Sequence, residues 1–142
     1  MAKTLKFGFI GCGGIAQVHA SNTQKIENME VIGWCDIVKE KADNFLKRFG
    51  GEYATADAQQ IFNDPNIDAV MIQTGEAHHP TLGIQAAKAG KHIFIEKPIA
   101  RTLEEAAPLV EAVNEAGVKF QLGFCFEYSP TIERAKQMMR ET

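Results

Sequence analysis

Short apolar runs alternate with segments of helical period along the whole chain, and glycine, proline or an acidic cap punctuates the changes. Leu5-Lys-Phe-Gly-Phe-Ile10 predicts a first strand, residues 13–23 a helix, and Met29-Glu-Val-Ile-Gly-Trp-Cys-Asp36 a second strand. Residues 39–49 are amphipathic, with Ala42, Phe45, Leu46 and Phe49 on one face, and Gly50-Gly51 ends that helix. A short strand at Tyr53-Ala54 precedes a small helix that Asp57 can cap and that stops before Asp64-Pro65. Ala69-Val-Met-Ile-Gln-Thr74 predicts a buried fourth strand. Residues 80–89 form the next helix, with Pro80 in its first turn and Gly90 at its end. His92-Ile-Phe-Ile-Glu96 is the fifth strand.

Thr102 and Glu105 make a capping box for a helix whose apolar face is Leu103, Ala106, Ala107, Val110 and Val113, and which Gly117 stops. Pro108 falls inside it. An interior proline costs around 3 kcal/mol, so a kink or a 3₁₀ first turn is expected there. Residues 118–123 predict a sixth strand and residues 130–141 a last helix. Regular β–α alternation means crossover units and a parallel sheet, a doubly wound α/β fold with strand order 3-2-1-4-5-6. In such a sheet the ligand crevice opens at the carboxyl edge, between strands one and four.

The 142 residues suit one domain with a real core, and 45% hydrophobic with 23% charged residues is ordinary for a globular chain. The net charge of −3, with both signs interspersed, gives no basic surface for nucleic acid. No apolar run reaches membrane-spanning length and no signal-peptide pattern opens the chain. Four histidines and three cysteines form no convincing metal spacing, the His78-His79 pair included. Cys12, Cys35 and Cys125 read as reduced, mostly buried thiols of a cytoplasmic protein.

The chemistry concentrates at the predicted strand tips. Gly11-Cys-Gly-Gly-Ile-Ala16 carries the G-x-G-x-x-G/A spacing between a strand and a helix, and Asp36 follows twenty residues later at the next strand end. Gly11 allows the reversal, Gly13 lets backbone approach a diphosphate, Ala16 permits close helix–strand packing, and Gly14 adds freedom. Cys12, Ile15 and Ile37 line the same turn and strand end. This is the pattern of a Rossmann-type dinucleotide site. Asp36 favours NAD, because a 2′-phosphate about 4 Å away would meet roughly 4 kcal/mol of repulsion per charge pair. Lys39 and Lys41 are near enough in sequence to keep NADP open.

Thr74-Gly75 after the fourth strand should pass under the nicotinamide half, and His79 could donate to a ribose or phosphate oxygen. Glu96-Lys97-Pro98 follows the fifth strand; the Lys97 ammonium can bond a substrate oxygen and exchange its proton, with Glu96 orienting it or touching the nicotinamide ribose. His19, on the first helix, reads as packing.

Taken in order, the glycine turn, Asp36, Thr74 with His79, and Glu96-Lys97-Pro98 resemble the glucose–fructose oxidoreductase / inositol dehydrogenase / rhizopine catabolism family (Gfo/Idh/MocA) over nearly the whole chain. The resemblance implies an NAD(P)-dependent oxidoreductase of sugars, polyols or related hydroxy compounds, with Lys97 catalytic, Glu96 at the nicotinamide, Thr74 and His79 in the cofactor loop, and Lys97–Pro98 able to be cis. It implies that residues 1–124 are the dinucleotide-binding domain and 125–142 a linker and helix leading to a substrate domain. That second domain supplies most of a homo-oligomer interface, so an isolated cofactor domain is expected to turn over little. Gly75 stands where the family usually has proline, and Cys125-Phe-Glu-Tyr128 where it has an Asn-Arg-Arg-Phe-like run. Two other readings are a non-catalytic NAD-binding regulator, which has no need of Lys97, and a methyltransferase, which would place an acid where Phe9 and Ile10 stand.

Overall fold

The computed structural model describes residues 3–141; the first two positions and the last of the expected domain spans lie outside them. The strands are β1 (Leu5–Ile10), β2 (Met29–Cys35), β3 (Tyr53–Thr55), β4 (Ala69–Ile72), β5 (His92–Ile95) and β6 (Phe120–Leu122). All neighbours are parallel, in the order β3-β2-β1-β4-β5-β6. The helices are α1 (Gly14–Thr23), α2 (Lys39–Phe49), α3 (Ala58–Asn63), α4 (His79–Lys88), α5 (Leu103–Ala116) and α6 (Pro130–Arg140). Rossmann topology and strand order are those the alternation predicts.

Strand alternation divides the core into two layers. Phe9, Trp34 and Met71 face α1 and α2, where Ala16, Ala20 and Ala42 let the helices lie close. Ile10, Ile32, Val70, Ile72, Ile93 and Ile95 face α3, α4 and α5. Each layer buries the apolar stripe of its helices, and the hydrophobic effect, about 25 cal/mol per Å² buried, holds the sandwich together. Gly33 lies under α3: a Cβ there would stand 2.7 Å from Ile61 Cδ1 and Tyr53 Cζ, so a larger residue would push that helix off the sheet. The change from one layer's crossovers to the other's occurs between β1 and β4, which places the crevice there.

Two local expectations change. α5 runs unbroken through Pro108, with no 3₁₀ turn at its start. Glu104, whose carbonyl loses its helical donor to the proline ring, is exposed, so water can replace the missing N–H. Thr102 caps the helix by accepting the Glu105 N–H at 3.3 Å, but the Glu105 carboxylate takes the Arg101 N–H and guanidinium rather than closing the box. A 3₁₀ turn at 76–78 precedes α4 and another, 125–128, precedes α6. α6 buries none of its described residues, and Phe126 and Tyr128 before it are exposed.

Candidate functional site

The carboxyl edge of the sheet collects every motif singled out above. Gly11 follows β1 with φ +96°, and a Cβ on it would stand 2.7 Å from the Gln73 carbonyl oxygen. The turn is seated between two strand ends, with the Gly11 N–H donating to the Cys35 carbonyl and the Gln73 N–H to the Ile10 carbonyl, both at 2.8 Å. Gly13 is the N-cap of α1 and no side chain caps it; a Cβ on Gly13 or Gly14 would meet no protein atom within 4 Å. The first-turn N–H groups and the positive helix end therefore face open space, the arrangement that receives a phosphate. Ile15 is half-exposed beside them and Ala16 is fully buried against the sheet.

Asp36 follows β2 and is held twice. Oδ2 accepts the Cys12 N–H at 2.9 Å and Oδ1 accepts the Val38 N–H at 2.9 Å. The carboxylate thus braces the glycine turn as well as presenting its remaining lone pairs outward, where ribose hydroxyls can donate. Ile37 is 90% exposed at the rim. Lys39, one of the two cations that keep NADP open, is engaged by Asp43 at 2.5 Å.

Cys12 and Cys35 are buried under this turn, whereas Cys125 is exposed. Burial, reinforced by the Asp36 carboxylate, pushes the Cys12 thiol from 9.0 up to about 12, and burial with Asp36 and Asp57 pushes Cys35 up to about 11. Only thiolates react readily, so at about pH 8 a disulfide reagent should titrate one thiol in the native chain and all three after denaturation. Raised folded-state values also mean the unfolded thiols lose protons first. Their contribution to stability is complete below pH 9 and is lost as pH climbs towards about 12, which alkaline melting curves will register.

After β4, the chain runs through Gln73, Thr74 and Gly75 into α4. His79 is 1% exposed, with Nδ1 2.7 Å from the Pro98 carbonyl oxygen and Nε2 3.1 Å from that of Thr74. It therefore clamps the loop after β4 to the loop after β5 from beneath. The direct contact with a ribose or phosphate read from sequence would require one of these bonds to break. His78 is exposed in the 3₁₀ turn, so the two histidines diverge, and among the described residues no three His, Cys, Asp or Glu side chains converge on a metal position.

After β5, the Glu96 side chain points to the α1 layer, one alternation beyond Phe94, and Lys97 is exposed at the tip with a cis bond to Pro98. His19, read as packing, instead reaches Glu96: Nε2 to Oε1 is 2.8 Å. The signal for it was its place three residues after buried Ala16, on the inward stripe of α1, but that stripe names no partner. Gln73 was also missed. By the same alternation its amide lies on the α1 side beside Glu96, buried and without a hydrogen-bond partner among the described residues.

Residues 5–124 match the model of Gfo/Idh/MocA, described as an oxidoreductase family with an NAD-binding Rossmann fold. The NAD⁺-dependent scyllo-inositol 2-dehydrogenase of Bacillus subtilis is 33% identical over 138 residues, covering 96% of this chain and 40% of the relative. Levoglucosan dehydrogenase of Pseudarthrobacter phenanthrenivorans is 38% identical over 102 residues, which is 72% of this chain and 26% of the relative. Among solved structures, scyllo-inositol dehydrogenase of Lactobacillus casei, with bound NAD(H) and scyllo-inositol, superposes with a TM-score of 0.91 at 30% identity, over 98% of this chain and 42% of that one. The chain spans about two fifths of the length of several curated relatives.

Proposed function

The chain belongs to the Gfo/Idh/MocA oxidoreductase family, and from that premise we propose that it is the cofactor-binding part of an NAD-dependent dehydrogenase. The reaction is hydride transfer between nicotinamide and a carbinol carbon of a sugar, polyol or related compound, and relatives that oxidise inositols and sugars support this substrate class. The observation that carries the reading is the convergence of the open-faced glycine turn, Asp36, Thr74-Gly75 and Lys97 on one sheet edge.

The residues fit the cofactor. Backbone N–H groups of 13–15 would take the diphosphate, with Cys12 buried behind them. Asp36 would take the adenosine ribose diol, Ile37 would flank the adenine, and Thr74-Gly75 would lie along the nicotinamide half. When bound, the nicotinamide supplies or accepts the hydride. Lys97 would hydrogen-bond the substrate oxygen, as the neutral amine taking the hydroxyl proton on oxidation and as the ammonium returning it on reduction. With Lys39 engaged by Asp43, Asp36 has less cationic company, which favours NAD. Residues 125–142 would lead into a substrate domain, through which the whole protein orients its substrate and forms a homo-oligomer. Among the described residues no helix is long and apolar enough to cross a membrane; a cytoplasmic setting follows from the NAD pool it would use.

Calorimetric titration of this chain tests the reading: NADH should bind, and NADPH at least about tenfold more weakly, given the repulsion at Asp36. Absence of heat with millimolar NADH sinks it. Gly13→Ala separates site from fold. Its backbone, φ −93° and ψ −166°, suits alanine, so melting should fall by no more than about 3 °C, the loss of a good cap, while NADH affinity drops at least about tenfold.

A further inference from the structure

Helix α1 reaches the lysine tip through His19. His19 packs edge-on to Phe94, with 5.2 Å between ring centroids, and its Nε2 meets Oε1 of a Glu96 side chain that is only 11% exposed. An ionised carboxylate only accepts, so the imidazole nitrogen donates. The other carboxylate oxygen, Oε2, accepts the backbone N–H of Lys97 at 3.1 Å. Gly123 closes the pocket from the β6 side, where a Cβ would stand 3.2 Å from Oε1. Both oxygens of Glu96 are therefore committed inside the protein, one to the phosphate-facing helix and one to the backbone of the lysine.

We infer that His19 is a positioning residue, which through Glu96 ties α1 to the backbone of Lys97. The inference rests on the dehydrogenase reading, in which the helix start and Lys97 address two ends of one cofactor–substrate assembly. His19 lies about 7.5 Å along the axis from Gly14, so the tie spans one and a half turns of helix. The lysine side chain has four rotatable bonds and its ammonium carries no fixed direction of its own. Where that ammonium can reach depends on how firmly its backbone is held, and misplacement by about 1 Å is enough to cost about a hundredfold in rate. Freed of His19, the Glu96 carboxylate can rotate away from the Lys97 N–H and the tip loses its anchor.

Nitrogen-resolved NMR of this chain tests the tie, comparing wild type with H19F, H19Q and H19L. H19F keeps a ring against Phe94 and removes the donor, whereas H19Q restores an N–H near the Nε2 position. Exchange of the Lys97 amide should quicken about tenfold or more in H19F and return near wild type in H19Q, with little difference in melting between them. NADH should shift the Lys97 amide together with those of Gly13 and Gly14 in wild type and H19Q, and the glycines alone in H19F. Unchanged Lys97 exchange in H19F, or an H19Q no better than H19F, overturns the inference. If H19F does not fold, H19L, which also lacks a donor, decides: accelerated Lys97 exchange supports the tie and unchanged exchange refutes it. A wild-type chain whose glycine amides ignore NADH sinks the cofactor reading instead, and the exchange comparison still judges His19.

Discussion

Gly11→Ala should lower the melting temperature by about 10 °C and remove NADH binding, although it adds a single methyl group. Two costs combine. At φ +96° an alanine is strained by roughly 1–2 kcal/mol. Its Cβ would also stand 2.7 Å from the Gln73 carbonyl oxygen and 3.0 Å from the Thr74 nitrogen, backbone atoms that cannot swing aside. Moving either the turn or the β4 tip is an overpacking cost of about 1–3 kcal/mol. The sum, about 3 kcal/mol, corresponds to about 10 °C for a domain of this size. Gly14→Ala is the control: the same methyl meets no protein atom within 4 Å and sits in a helix, where alanine is favoured. Thermal melts of the two variants should part widely. Equal melting would mean that Gly11 is tolerant and that the turn is not wedged between the ends of β2 and β4 as described.

The contrast between those two glycines bears on what a sequence can reveal. The spacing Gly11, Gly13, Ala16 and the acid at 36 identify a dinucleotide turn because each small residue answers a local steric demand. Strand order was equally legible, since run length and period distinguish strands from helices and crossover handedness leaves few topologies. Partners separated by tens of residues were not legible. Period places His19 on the inward stripe of α1, yet an inward histidine looks the same whether it packs or pairs, and Glu96 lies 77 residues away. His79 was read as reaching outward because it follows a strand tip; its burial depends on how α4 seats on the loop after β5, which no local pattern encodes. Pro108 shows a different limit: local propensity allows a 3₁₀ first turn, yet α5 is helical from Leu103 and continues through the proline. Cys125 is exposed because it lies in the 3₁₀ turn beyond β6, among aromatic residues that the described fold leaves uncovered.

The clamp formed by His79 carries the second large effect. Both of its partners are carbonyl oxygens; a neutral imidazole carries one N–H and donates to one of them, while its second nitrogen lies against the other. In His79→Ala the carbonyl that the ring serves loses its donor, at about 1–3 kcal/mol, and the missing ring, 1% exposed in the wild type, leaves a cavity that costs a similar amount. A loss of about 4 kcal/mol follows, a large part of the roughly 5–15 kcal/mol that holds a domain folded. Melting should fall by about 13 °C. The damage should be directional as well. The loops after β4 and β5 are the ones released, so amide exchange at Gly75 and Lys97 should quicken more than at buried β2 positions such as Trp34. His79→Gln tests the donor account, because a carboxamide places hydrogens on one nitrogen and can satisfy one carbonyl. It should recover about half of the lost stability. If His79→Ala instead melts within about 2 °C of wild type, the two loops are held by packing alone. The lysine tip would then owe its placement to the Glu96 side of the site rather than to a brace from both.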